Sequence, residues 1–243
     1  MISNESVFRH LPANLDRKQA LYFDGIRHCA EIAELAYGRL KNTLTEISMS
    51  TKEHESNGSL FTSAFLDAWS LVDVIDRFRI LWISIPNVRP EPPGPGEQSF
   101  ERLAQPIRDL RNVADHIAQR ADYIVAKQGT ALGVLGWFTV LKDNPLEGVV
   151  CTIVPGTLQP GSWHVINPAG QKIEFPTGLV HLSAGEFTAN LSEQFIQMKG
   201  RVEGLEGLLQ TQLEIQTPGI GSAGTDVLIK MSVSFPGEIS RDM

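Results

Sequence analysis

The apolar residues of this 243-residue chain change their period near residue 130, and that change limits the fold more than any other feature. Before it they recur at helical spacing. From Asp16 to about Ile47, the positions Leu21, Ile26, Ala30, Ala33, Leu40, Leu44 and Ile47 fall mostly three, four or seven apart. Residues so spaced share one side of an α-helix, so one long helix or two consecutive ones are expected. Asn57-Gly58-Ser59 reads as a turn with Ser59 as N-cap, because a serine oxygen accepts from the first free backbone N–H groups. A second helix is expected from Leu60 to about Trp82. Phe61, Phe65, Ala68, Trp69, Val72, Ile75, Phe78 and Leu81 give it a broad apolar stripe, the mark of a helix at the centre of a core.

Five of the fourteen prolines lie between Ile85 and Gly96. Proline fixes φ and has no N–H to donate, so neither helix nor central strand continues there, and a stiff loop is expected. Leu103, Ile107, Leu110, Ala114, Ile117, Ala121 and Ile124 then step by three and four, which predicts a third helix over Ser99–Lys127; Pro106 sits within it, so the helix is expected to start later or to be kinked there.

After Gly129 the apolar runs shorten. Trp137–Leu141, Val149–Val154, Trp163–Ile166, Lys172–Phe175 and Leu179–Leu182 are β-branched or aromatic, with Pro, Gly and Asn between them. Such punctuation predicts an antiparallel meander, with Ile166–Gln171 as its best hairpin. One helix interrupts it near 190–214, where Leu191, Phe195, Met198, Val202, Leu205 and Leu209 recur, and Asn190 with Glu193 resembles a capping box. Gly200, Gly204 and Gly207 weaken that helix and are expected to allow close packing on the sheet. Asp226–Phe235 reads as a last strand. The fold expected is α+β in two parts: a helical bundle over 1–128, and an antiparallel β-rich part with one covering helix over 129–243.

The arginines follow the same division. Residues 1–128 hold 15 Lys+Arg against 17 Asp+Glu, and residues 129–243 hold 6 against 11, so the chain's net charge of −7 belongs mainly to the β-rich part. A broad basic face for nucleic acid is therefore not expected, whereas a small arginine-lined site in the helices is compatible with the charge. The start lacks a basic stretch followed by an apolar one, and the run Leu132–Leu141 is half the length of a membrane-spanning helix, so a cytoplasmic protein with no membrane contact is expected. Cys29 and Cys151 offer neither a disulfide framework nor zinc-ligand spacing, and both read as small buried residues.

Most motifs lack the context their chemistry needs. Gly219-Ile220-Gly221-Ser222-Ala223-Gly224 matches the dinucleotide fingerprint in letters, but no helix follows it to receive a pyrophosphate, so it reads as a loop. His164, His181 and Glu174 could ligate a metal, yet two histidines on strands are more often structural. Asp67, Asp73 and Asp76 beside Arg77 and Arg79 read as a solvated or salt-bridged face.

One motif remains. The third helix carries Leu110-Arg111-Asn112-Val113-Ala114-Asp115-His116-Ile117, that is, Arg-Asn-x-x-x-His. It resembles the signature of the HEPN superfamily, an arginine, four to six residues and then a histidine, with Asn, Asp or His commonly next to the arginine. The resemblance covers the motif and the helical part, roughly residues 16–128. It implies a helical bundle, a homodimer and, for many members, a metal-independent endoribonuclease acting as a toxin or defence component; other members only bind. The residue types suit that chemistry. Histidine titrates near neutrality and can move the protons of RNA cleavage, while arginine stays charged and presents a planar fork of donors to phosphate. Arg111 and His116 are thus the candidate catalytic pair, with Asn112 and Asp115 in support.

On an ideal helix two residues five apart point about 140° from each other. Either the helix is distorted at the motif, or a dimer brings one chain's histidine to its mate's arginine. The expected partners are RNA, a second copy and an antitoxin or other protein, with no metal or cofactor. The alternative is a dimeric interaction module without catalysis, whose β-rich part binds a partner or a small ligand.

Overall fold

The computed structural model describes residues 1–50, 58–88, 98–119, 121–126, 130–144, 146–156, 166–216, 222 and 226–232, with side chains to residue 212 in the last helix. The architecture is α+β. A short turn of 3-10 helix at Val7–Arg9 precedes α1 (Arg17–Met49), a single uninterrupted helix. Asp16 caps it, its Oδ1 accepting from the N–H groups of Lys18 at 3.1 Å and Gln19 at 3.0 Å. Its buried residues Phe23, Ile26, Ala30, Ala33, Tyr37, Leu40 and Leu44 step by three and four. α2 (Gly58–Ile83) runs antiparallel to α1. Gly25 packs against Leu81 near one end, and Arg39 pairs with Asp67 towards the other. A Cβ at Gly25 would lie 2.9 Å from Leu81 Cδ1, so glycine permits that approach.

α2 starts at Gly58, which puts Ser59 in its first turn and not at the N-cap. The helix is long and apolar enough to cross a membrane by length and composition. It is also the hub of the helical layer, burying Phe65, Ala68, Leu71, Val72, Ile75 and Phe78 against α1 and later elements.

The expected third helix is in three pieces: α3 (Phe100–Leu103), α4 (Gln105–Asp115) and α5 (Ala121–Ala126). Ser99 caps α3, and α4 restarts after Ala104 with Pro106 in its first turn, where a missing N–H costs nothing. The second break follows from packing. Ile107, Leu110 and Val113 are buried, but Ala114 and Ile117, which continue the expected stripe, are exposed. A periodic apolar pattern extends a helix only while a surface is there to cover it.

Four antiparallel strands follow: β1 (Val134–Lys142), β2 (Glu147–Ile153), β3 (Thr177–Ala184) and β4 (Phe187–Asn190). Their order in the sheet is β2-β1-β3-β4, so this is not the simple meander expected: β3 returns to pair with β1 and leaves β2 on an edge. Burial explains the order. β1 is buried continuously from Val134 to Val140 and takes a central place, whereas β2 is mostly exposed. Lys172–Phe175 forms no strand, and Ile166–Gln171 forms a turn, with Gln171 N–H donating to Pro168 O and no strand directly after it. Residues 163–165 of the expected strand Trp163–Ile166 lie outside the described residues. The short β4 was not expected. The described part of the last expected strand, residues 226–232, is neither strand nor helix and is exposed.

α6 (Leu191–Gln216) covers the assembly. Asn190 Oδ1 accepts from Glu193 N–H at 3.1 Å, as the capping pattern suggested. Gly200, Gly204 and Gly207 have open space where a Cβ would stand, so they do not serve close packing on the sheet. Phe195 stacks on Tyr37 with ring centroids 4.3 Å apart, and Met198, Val202 and Leu205 are buried.

One hydrophobic core crosses residue 128. Leu135, Trp137, Ile153, Val180 and Leu182 from the sheet belong to the same cluster as Ile26, Leu40, Leu44, Phe65 and Ile75 from the helices. A hydroxyl seam joins α1 to the sheet within this core. Thr45 and Thr177 lie 2.7 Å apart, Thr177 and Thr139 2.8 Å, and Thr139 and Ser48 2.9 Å. Trp137 Nε1 donates to Ser48 Oγ at 2.8 Å. Thr45 and Ser48 also back-bond to their own helix, at Lys41 O and Leu44 O. A smaller cluster of Phe138, Val140, Ile166 and Leu179 lies on the sheet's other side.

Candidate functional site

Asp76 organises the surroundings of the motif. It lies on α2 in phase with the buried Val72 and Arg79, so its carboxylate is taken into the core. Oδ1 accepts from Arg79 Nε at 2.8 Å, and Oδ2 accepts from Arg111 Nη1 at 2.7 Å. The side chains of Asp76 and Arg79 are 5% and 9% exposed, whereas that of Arg111 is 32% exposed. Arg111 therefore emerges from α4 with its inner edge fixed on a buried carboxylate and part of its guanidinium in water.

The other guanidinium nitrogens also face carboxylates. Nη2 is 3.4 Å from Asp73 Oδ1, and Nε is 3.8 Å from Asp115 Oδ2, one turn further along α4. Asp73 in turn holds Arg77 at 3.1 Å. The hydrogen bond to Asp76 raises the Arg111 pKa further, with smaller contributions from the other acids. Asp73 and Arg77 are the exposed pair that α2 was expected to carry. Asp67 and Asp76, read from the sequence as part of the same solvated or salt-bridged face, are ion-paired but buried. Burial pushes the Asp67 carboxyl upward, and the Arg39 guanidinium, 3.3 Å away, only partly opposes that rise.

His116 stands where α4 ends. Its backbone is at φ −116°, ψ 24°, and its N–H donates to Ala114 O, so it caps the helix and does not continue it. Its imidazole is exposed and makes no hydrogen bond among the described residues. Asn112 and Asp115 are exposed as well. Thus Arg111 is brought together with Asp115 and with two α2 carboxylates, while His116 leaves the helical wheel directly after Asp115. The sequence contained a signal for the missed Asp76: Asp76 and Arg79, three apart, continue the buried spacing of Ala68 and Val72.

A second constellation joins distant parts of the chain. Ligand atoms of Asp24, His28 and Asp226 lie within 4.8 Å of one another, a spacing a metal ion could use. Arg27 already occupies their centre. Its Nη2 is 2.8 Å from Asp24 Oδ1, 2.7 Å from Asp226 Oδ1 and 2.9 Å from His28 Nε2. The acids thus converge on a guanidinium, which raises the Arg27 pKa and lowers that of Asp226. Of the metal set considered in the sequence, His164 lies outside the described residues, and Glu174 is engaged by Lys41 Nζ at 2.8 Å and Tyr37 Oη at 3.0 Å.

The chain matches no known family model, no curated protein and no solved structure. Its function has to be argued from its own residues.

Proposed function

We propose that the protein is a HEPN-like module that acts on RNA at Arg111 and His116 without a metal. The observation that carries this reading is the end of α4 at the motif. Because the helix stops at Asp115, the 140° separation of an ideal helix does not bind Arg111 and His116, and both present polar groups to solvent at one end of α4. Asp76 holds Arg111 in place from below.

In the reaction proposed, His116 takes the proton of a ribose 2′-hydroxyl, and the oxygen attacks the adjacent phosphorus. The 5′-oxygen leaves with a proton supplied by the histidine of a second copy or by water, giving a cyclic phosphate and a 5′-hydroxyl. Arg111 lends positive charge to the crowded phosphate, and Asn112 donates to one of its oxygens. A second copy, an antitoxin or another protein partner, and a toxin or defence role follow from the family resemblance.

One observation favours a second reading, that of a non-catalytic interaction module. All three guanidinium nitrogens of Arg111 face a carboxylate, so a phosphate has to compete with Asp73 and Asp115 for them. Labelled single-stranded RNA incubated with the protein in excess chelator separates the two. Cleavage that Arg111→Ala and His116→Ala both abolish, with the fold intact by circular dichroism, supports the ribonuclease. Intact RNA, or cleavage unchanged in either variant, refutes it and leaves the interaction module.

A further inference from the structure

Two apolar surfaces are exposed among the described residues. The first is a groove of about 660 Å³ along the outer face of α2, bordered by Ile32 of α1 and by Leu132. Ile32, Leu66 and Leu132 in its lining are 49%, 58% and 47% exposed, and its charged residues, Asp73 and Arg77, pair with each other. The second is the segment Val227–Met231. Val227, Leu228, Ile229 and Met231 are 78–84% exposed, in neither helix nor strand. Asp226 fixes the base of this arm through two bonds to the buried Arg27, at 2.7 and 3.1 Å.

We propose that the arm Val227–Met231 of one copy lies in the α1/α2 groove of a second copy, and reciprocally. The exchange does not depend on the ribonuclease reading. Four adjoining large apolar residues in water favour any cover available, and the arm leaves its own groove uncovered while anchored beside it. The lengths agree. Five extended residues reach about 17 Å, and the α2 residues of the groove, Thr62 to Arg77, span about 22 Å of helix. Charge adds nothing to the fit: Asp73 in the groove is already held by Arg77, which lines the groove too, and faces Arg111, so the docking rests on apolar cover. At about 100 Å² for each apolar side chain covered, two arms and the lining of two grooves bury about 1,150 Å², just above the ~1,000 Å² that a specific interface needs. A two-fold axis satisfies both arms at once and closes the assembly at two copies.

Sedimentation of the full chain tests the exchange, using wild type and the double variant Leu228→Asp/Ile229→Asp. The substituted side chains are exposed in the single chain, so its circular dichroism spectrum is expected to stay unchanged. Wild type is expected to dimerise, and the variant to weaken association by about 100-fold or more. A second chain carrying Leu66→Cys and Ile229→Cys is expected to form a disulfide between two copies under mild oxidation, running at twice the monomer mass, with each single cysteine variant as control. A monomeric wild type, a dimer indifferent to the aspartates, or a disulfide closed within one chain overturns the proposal. None of these outcomes bears on RNA cleavage, which the Arg111 and His116 variants read separately.

Discussion

Replacing Asp76 with alanine removes the one carboxylate shared by Arg79 and Arg111, and the two arginines differ in what they lose. Arg79 is almost wholly buried and bonds to Asp76 at 2.8 Å. Without its one ion-pair partner among the described residues it becomes an uncompensated buried charge, a change that costs about 3–5 kcal/mol in general. Arg111 is a third exposed and keeps Asp73 and Asp115 nearby, so its share is screened to about 0.5 kcal/mol. Part of the Arg79 cost is recovered if its flexible side chain swings towards water, which puts the expected net loss at about 3–4 kcal/mol. For a chain of this length that corresponds to a fall in melting temperature of about 10 °C. Urea unfolding followed by circular dichroism measures it, and a double-mutant cycle apportions it: coupling between Asp76→Ala and Arg79→Ala is expected to exceed coupling between Asp76→Ala and Arg111→Ala several-fold. A loss below about 1 kcal/mol, or equal couplings, refutes the assignment of Asp76 as a buried anchor.

Two further outcomes follow from buried titratable groups. The folded pKa of Asp67 is raised by desolvation, so the stability tied to its protonated form is full below the unfolded value of about 3.9 and is lost as pH rises through the folded value. Asp67→Asn is therefore expected to gain stability relative to wild type as urea midpoints are followed from pH 4 to 7, and parallel curves contradict this. Burial pushes the Cys29 thiol up to about 11, so at pH 8 iodoacetamide is expected to spare it until urea unfolds the chain; rapid labelling of native Cys29 by mass spectrometry would show the site to be open.

The helices of the first half were legible because their burial is local: the stripe from Phe23 to Leu44 is satisfied by the neighbouring α2. Strand β1 was legible for the same reason, since Trp137–Leu141 is apolar on both faces. What failed depended on distant partners. Ala114 and Ile117 keep the spacing of the third helix but have no surface above them, and sequence spacing cannot report that. Lys172–Phe175 has strand-like residues, yet Glu174 is drawn to Lys41 and Tyr37 on α1. At the site, Arg111 was found through the motif, but Asp76 lies 35 residues earlier and was read as part of a solvated or salt-bridged surface, because acidic residues are mostly exposed. The Arg27–Asp226 pair spans 199 residues and left no local trace.

The hydroxyl seam between α1 and the sheet carries a count of its own. Thr45, Ser48, Thr139 and Thr177 bring four hydroxyl hydrogens to five oxygen–oxygen contacts: three among themselves, and one each to Lys41 O and Leu44 O. The indole hydrogen of Trp137 is spent on Ser48 and relieves none of them. One contact in the seam is thus always short of a hydrogen. The shortage passes from contact to contact as hydroxyls rotate in concert, so several proton arrangements of similar energy coexist in a rigid core. Exchanging Thr139 for valine would leave three hydrogens for three contacts, and the seam would settle into a single order.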